Sequence, residues 1–372
     1  MSVAASRPAL VVFLGGLGDS PVERLVARAR AAAAVDSIEV AIAGGRYAGA
    51  ILVSDGSAEF SGLPAGVTVC LDSSPFHYGC RLAETVRTHA LEHVVYLGGG
   101  SLPLLGEADF GSIANALSED GVVVTNNFFS SDLVGFAAES VARIRPPESD
   151  NRLARALCEE AGLALRELPR TVATQMDIDG PTDLAVLSLT GQGGPRLLEY
   201  LSALEMDVGR YRRVLPLLTD RSAQVTVAGR VGSHAWRYLE SETACRVRLF
   251  AEERGMEADG RAAEGKVRSL LAFYLEQAGP QRFFGALAEL GDAALIDTRV
   301  LLAHFGIDAQ RSDRFLSDLG CWQEIGEPFL REFTQAAVEA RIPVLLGGHS
   351  LVSGGLMALN EFAWREKERD RD

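Results

Sequence analysis

An unbroken apolar run, Ala9-Leu10-Val11-Val12-Phe13-Leu14, leads into Gly15-Gly16-Leu17-Gly18-Asp19-Ser20 and then into helical sequence from Pro21 to Ala34. Strand, glycine turn and helix in that order commit the chain's start to an α/β arrangement. Ser20 and Glu23 have the spacing of a capping box, and Pro21 suits the first helical position. The pattern then repeats. Strands are expected at Ile38–Ala43, Ala50–Ser54, Val67–Leu71, Val94–Leu97 and Val122–Thr125. Helices are expected at Gly79–Leu91, Asp109–Leu117, Asp132–Val141, Asn151–Ala161 and Pro181–Leu189. Alternation of this kind implies a mostly parallel sheet. Ligands of such sheets bind outside the carboxyl ends of the strands. The first glycine loop, the stretch Gly98–Leu105 and the segment around Asp177 and Asp179 all follow apolar strand candidates, so they are expected to share that edge.

The second half reads differently. Gln192-Gly193-Gly194-Pro195 has linker composition. Helical periodicity follows at Leu197–Met206, Val208–Leu218, Ser233–Arg254, Lys266–Gln277, Gln281–Leu290, Ala293–His304, Arg311–Leu319 and Pro328–Arg341. A last apolar run, Ile342–Leu346, precedes Gly347-Gly348-His349-Ser350 and a helix over Ser353–Arg365, with a charged, frayed tail beyond. The expected organisation is an α/β domain over 1–190 and a mainly α-helical domain over 195–372.

A net charge of −14 argues against broad nucleic-acid binding, which needs a basic footprint. No stretch has the length and apolarity of a membrane span. The residues before Ala9 do not read as a signal peptide. Five scattered cysteines without a C-x-x-C pair fit a reduced cytoplasmic protein.

Met176-Asp177-Ile178-Asp179-Gly180-Pro181-Thr182-Asp183-Leu184 carries the strongest chemical signal. Residues i and i+2 of an extended chain share a face, so Asp177 and Asp179 point the same way. Paired carboxylates so placed repel unless a cation lies between them, and hard oxygen ligands suit Mg²⁺ carrying substrate phosphates. The plain alternative is a solvated strand-to-helix junction. Gly180 allows the turn, Pro181 opens the helix, and Asp183 favours its positive end.

Taken with Tyr96-Leu97-Gly98-Gly99-Gly100-Ser101-Leu102-Pro103-Leu104-Leu105 and the first glycine loop, this segment resembles the GT-A type nucleotidyltransferase superfamily. The guanylyltransferases of molybdenum-cofactor and F420 biosynthesis are the nearest likeness. The resemblance runs to Leu189; the helical half resembles no family. It implies a Rossmann-like GT-A fold and a nucleotide site over Gly15, Gly16 and Gly18, with Arg24, Asp72, Gly79, Gly99, Ser101 and Asn126 beside it. It implies a magnesium ion on Asp177 and Asp179, which would offset charge on a phosphoryl group under attack. The ligands implied are a nucleoside triphosphate or nucleotide sugar and a small-molecule acceptor. The sequence departs from the superfamily twice. No basic residue lies within Gly15–Ser20, and Ser101 stands where the superfamily's middle motif has a metal-binding Asp.

Other groups have plainer readings beside functional ones. Asp72-Ser73-Ser74-Pro75-Phe76-His77-Tyr78-Gly79 suits base or ribose contacts, or a simple loop. Asn126 offers an amide to a nucleotide or satisfies its own turn. His234, Arg248, Asp297, Gly348, His349 and Ser350 make a possible second site, an anion site, should the fold gather them. The alternative there is a network of buried ion pairs and close packing through small residues.

The expected function is Mg²⁺-dependent transfer of a nucleoside monophosphate to a small phosphorylated metabolite, with release of pyrophosphate. Two alternatives stand: a degenerate relative that binds a nucleotide or scaffolds without turnover, and a glycosyltransferase using a nucleotide sugar. The helical domain is expected to serve as acceptor lid or homo-oligomer contact.

Overall fold

The computed structural model describes residues 7–57, 60, 62–72 and 75–370; Ser73 and Ser74 of the expected loop and the end of the charged tail lie outside them. The chain forms two compact units. The first comprises residues up to Leu17, Ala27–Thr174 and Gly193–Tyr200; the second comprises Gly18–Val26, Gln175–Gln192 and Leu201 onward. The division therefore does not follow the glycine-rich stretch at 192–195. Asp36 explains part of this. Its buried carboxylate accepts from the backbone N–H of Arg196 at 3.2 Å and of Leu197 at 2.9 Å, which ties the expected linker into the first unit.

In the first unit the strands are β1 (Ala9–Leu14), β2 (Gly49–Ser54), β3 (Val67–Leu71), β4 (His93–Gly98), β5 (Val122–Thr125), β6 (Leu133–Ala137) and β7 (Ala164–Glu167). They lie in the order β3-β2-β1-β4-β6-β5-β7, all parallel except β6. Successive side chains point to opposite faces of a strand. Leu10, Val12 and Leu14 accordingly join a core with Leu52, Val95, Leu97 and helical Ile38 and Phe110. Val11 and Phe13 join the opposite core with Ile51, Val53, Val94, Tyr96, Leu82 and Leu157. This is the expected α/β class.

Two expected elements change type. Ile38–Ala43 is not a strand but the last part of a helix over Pro21–Ala43. Nothing between Ala34 and Ile38 breaks a helix, and the first glycines come only at Gly44 and Gly45. Asp132–Val141 is not a helix. Its Leu133-Val134-Gly135-Phe136 run forms β6, followed by a 3-10 turn over Ala138–Arg143. Asn126 sets the start of that strand, its side-chain carbonyl accepting from Asp132 N–H at 3.0 Å and Leu133 N–H at 3.1 Å.

The second unit is helical for most of its length, and it also holds a four-stranded parallel sheet that the periodicity does not reveal. Its strands are β8 (Gln224–Gly229), β9 (Arg246–Ala251), β10 (Ala293–Asp297) and β11 (Val344–Gly347), in the order β11-β10-β8-β9. The expected helix Ser233–Arg254 is thus a helix over Ser233–Glu242 and then β9, while Ala293–His304 is β10 followed by a helix over Thr298–Phe305. Ala294, Ile296, Val344 and Leu346 pack on the aromatic cluster of Phe283, Phe284 and Phe333. Among the described residues no helix is long and apolar enough to cross a membrane.

Candidate functional site

In the first unit a cavity of about 450 Å³ opens at the carboxyl ends of β1, β2 and β3, where Gly15 and Gly16, Asp55, and Asp72 follow the strands. Gly16 has φ +75°, a conformation that glycine adopts without steric cost. A Cβ on Gly15 would meet the Asp55 carboxylate at 2.4 Å, so glycine is what lets that acid approach. The approach is used: Gly16 N–H donates to Asp55 Oδ2 at 2.8 Å, and Ser57 N–H donates to Oδ1 at 2.9 Å. Partial burial would raise the Asp55 pKa, but these hydrogen bonds outweigh it and hold the carboxyl below its usual range.

The inner wall is aromatic. Phe13, Tyr78 and Tyr96 meet edge to face, with ring centroids 5.1 to 5.8 Å apart. Phe76 packs on Phe13 and stays half exposed. The Tyr96 hydroxyl donates to Asp150 Oδ2 at 2.9 Å, and burial raises the Asp150 pKa although this bond opposes the rise. Asp72 is ion-paired with Arg81 at the cavity edge. Gly79 has a packing role: a Cβ there would lie 2.5 Å from Pro147 N, and its N–H donates to Pro147 O at 3.0 Å. That contact seats the Glu148-Ser149-Asp150 stretch against the start of the Tyr78–Thr88 helix.

Of the residues expected to bind a nucleotide, the cavity gathers Gly15, Gly16 and Asp72. Gly99 instead brings β4 against β1. Its N–H donates to Phe13 O at 2.7 Å, and a Cβ would lie 2.5 Å from Leu14. Ser101 closes the turn after β4 through its backbone and does not line the cavity. Asn126 is buried and its amide is spent inside the fold, donating to Asp132 at 2.9 Å and to Thr174 O at 3.3 Å. These bonds reach residues six or more positions away, so its side chain ties strand ends together rather than closing a turn on its own backbone. Gly18 and Arg24 belong to the segment grouped with the second unit. There the Ser20–Glu23 capping box forms, and Gly18 N–H donates to Glu23 Oε1 at 3.3 Å. Motif reasoning misses Phe13, Tyr96 and Asp150, whereas Tyr78 falls in the 72–79 segment expected to suit base or ribose contacts. The available signal was Phe13 and Tyr96 toward the ends of the neighbouring strands β1 and β4.

Asp177 and Asp179 lie in the second unit. Met176 and Ile178 are fully buried and the two acids alternate with them, Asp177 half-buried and Asp179 exposed. Asp183 caps its helix by accepting from Asp179 N–H at 2.8 Å and Gly180 N–H at 2.9 Å. Burial, then repulsion from Asp179, pushes its pKa up to about 8. Among the described residues no group of three or more His, Cys, Asp or Glu is placed to hold a metal ion. Two carboxylates by themselves would leave most of a Mg²⁺ shell to water and phosphate.

The expected second site is partly assembled. Asp297 ends β10 and takes a two-pronged ion pair from Arg230 at 2.6 and 3.1 Å. Burial would raise its pKa, but Arg230 holds it below the usual range. Arg299 makes an equivalent pair with Asp318, at 2.6 Å for both bonds. These are the buried ion pairs of the plainer reading. His349 and Ser350 follow β11 at the same sheet edge, with Ser350 Oγ donating to Asp177 O at 3.1 Å. Arg248 is not part of this group. It is exposed on β9 and bonds Gln224, the first residue of β8. Gly354 and Gly355 serve close packing, since a Cβ on Gly354 would meet Gln175 O at 2.2 Å.

No protein-family model and no curated protein matches the chain. Solved structures resembling it include a protein named as a nucleotide-diphospho-sugar transferase from Desulfovibrio desulfuricans G20, 17% identical over 53% of this chain and 96% of its own, with TM-score 0.39. A cytidylyltransferase from Leptospira borgpetersenii is 11% identical over 53% of this chain and 92% of its own, with TM-score 0.37. CMP:2-keto-3-deoxy-manno-octonic acid synthetase complexed with CTP is 11% identical over 44% of this chain and 89% of its own, with TM-score 0.30. At these TM-scores the likenesses carry no argument about function. The mostly parallel seven-stranded sheet of the first unit gives the first half of the chain the expected α/β architecture.

Proposed function

We propose that the first unit binds the nucleoside or sugar part of a nucleotide in the cavity beside Gly15 and Gly16, and that the protein is a transferase of nucleotidyltransferase type. The observation that supports this most is the pairing, at one sheet edge, of an aromatic wall with carboxylates that accept from hydroxyl groups. Phe13 and Phe76 would contact the base or sugar face. Asp150, oriented by Tyr96, would accept from a ribose hydroxyl. In the finer reading the reaction moves a nucleoside monophosphate from a triphosphate to a small phosphorylated acceptor and releases pyrophosphate. Asp177 and Asp179 would hold Mg²⁺, which when bound offsets charge on the transferring phosphoryl group. The protein's own contribution would be alignment and exclusion of water.

One observation favours the second reading, binding without turnover. Asp55 occupies the Gly16 N–H that a phosphate oxygen would otherwise take, and the loop carries no base to replace it. The two readings separate in one experiment. Calorimetric titration with CTP, GTP, ATP, UTP and nucleotide sugars, with and without Mg²⁺, is followed by a pyrophosphate-release assay. Mg²⁺-dependent binding that Asp179→Ala abolishes, together with pyrophosphate release, supports the transferase. Saturable binding without release supports the binding protein. No binding of any of them refutes both.

A further inference from the structure

The carboxyl edge of the four-stranded sheet in the second unit has unspent hydrogen-bonding capacity. β8 ends at Gly229, whose φ is +124°. A Cβ on Gly229 would lie 2.3 Å from that of Asp297, which leaves room for no side chain. The chain there turns so that Arg230 reaches Asp297 with its Nε and one terminal nitrogen. That leaves the other edge of the guanidinium with N–H groups that have no partner among the described residues. The Arg230 side chain is 17% exposed, whereas the Asp297 side chain is 0% exposed. A buried acid that holds one edge of an arginine presents the other edge outward in a fixed orientation.

Three further features converge on this edge. Gly232 begins the Ser233–Glu242 helix and brings no side chain of its own to cap it. Such an end carries partial positive charge and open donors. Arg254, which follows β9, lies beside it, its Nε 3.5 Å from where a Gly232 Cβ would be. His349, just past β11, is a half-buried residue whose Nδ1 is buried and has no hydrogen-bond partner among the described residues. The charged groups facing His349 are Arg230, Asp297, Asp179 and Arg254. Leaving a buried polar atom unsatisfied costs about 1–3 kcal/mol. A satisfied ion-pair network has no need of this orphan atom or of the uncapped helix beside it.

We propose that this edge is a binding site for a phosphate group, either free phosphate or the phosphate of a small ester, gripped by Arg230, by His349 Nδ1–H and by the open start of the Ser233–Glu242 helix. Phosphate supplies several acceptor oxygens, matching the donors aimed here from separate strand ends. A metal cation does not match, because Asp297 is already neutralised by Arg230. The proposal rests on none of the residues lining the cavity of the first unit.

The test uses the full-length protein titrated with inorganic phosphate and, separately, with glycerol phosphate. Heat is recorded, and the histidine imidazole nitrogens are followed by NMR, with His349 assigned through His349→Gln. Saturable binding that moves the His349 Nδ1 resonance is expected, and the tighter of the two ligands shows whether the site takes the free ion or an ester. Arg230→Gln should weaken binding by roughly ten- to a hundredfold, the worth of a charge-assisted hydrogen bond. That variant strands Asp297, so Ser233→Glu provides the decisive arm. Ser233 is exposed, and a carboxylate in the first helical turn favours the helix while repelling an anion. Ser233→Glu should fold and lose phosphate affinity by a similar factor. Wild-type affinity in Ser233→Glu, a stationary His349 resonance at saturation, or no saturable binding of either ligand would overturn the proposal.

Discussion

Replacing Asp183 by Asn should change how stability depends on pH, and the structure supplies the direction and size. Asp183 is 3% exposed, and its carboxyl pKa is raised from 3.8 to about 8 by burial and by Asp179, against two backbone N–H donors that favour the charged form. Below the unfolded value near 3.8 both states carry the proton. Between that value and about 8 the folded chain holds a proton that the unfolded chain has released. Stability contributed by this group is therefore complete in acid and is lost as pH rises through the window, levelling off above it. One proton corresponds to a slope of about 1.4 kcal/mol per pH unit. Asn keeps the shape and a carbonyl oxygen for both N–H groups, and cannot ionise. Urea unfolding of both proteins, from about pH 5 to about pH 8, should show the variant gaining on the wild type steadily with pH. A stability difference constant across that range would refute the assignment of a raised pKa to Asp183.

Arg299→Met should destabilise by about 3–5 kcal/mol, because it strands the buried Asp318 carboxylate, while Arg299→Met combined with Asp318→Leu should cost far less; thermal melts of the two variants check this. Gly229→Ala should lower the melting temperature and release Asp297 from Arg230, since its Cβ would sit 2.3 Å from that of Asp297 at a φ unsuited to alanine. Tyr96→Phe removes the hydrogen bond that opposes the burial-driven rise of the Asp150 pKa. Nucleoside affinity should then fall at a higher pH than in the wild type when solutions are acidified, as calorimetry across pH would show.

Much of the first unit is legible in the chain's local patterns. β1, β3 and β5 fall within their apolar runs, and the Ser20–Glu23 cap folds as it reads. Failures come where a segment fits two states. Ile38–Ala43 alternates like a strand, yet it continues a helix that nothing interrupts. Arg246 and Arg248 lie four positions from Glu242 and Glu252, a helical spacing, but they also alternate with Val247 and Leu249, and pairing with β8 selects the strand.

The local pattern was enough to establish an α/β beginning and a capped first helix, because each depends on residues a few positions apart. The composition of the sites was beyond its reach. Tyr96 meets Asp150 across 54 positions, and Arg230 meets Asp297 across 67. Nothing in either neighbourhood specifies the other, because strand order and crossover helices bring them together. The same holds for Gly16, whose N–H was expected to face a phosphate and instead faces Asp55, delivered by the neighbouring strand β2.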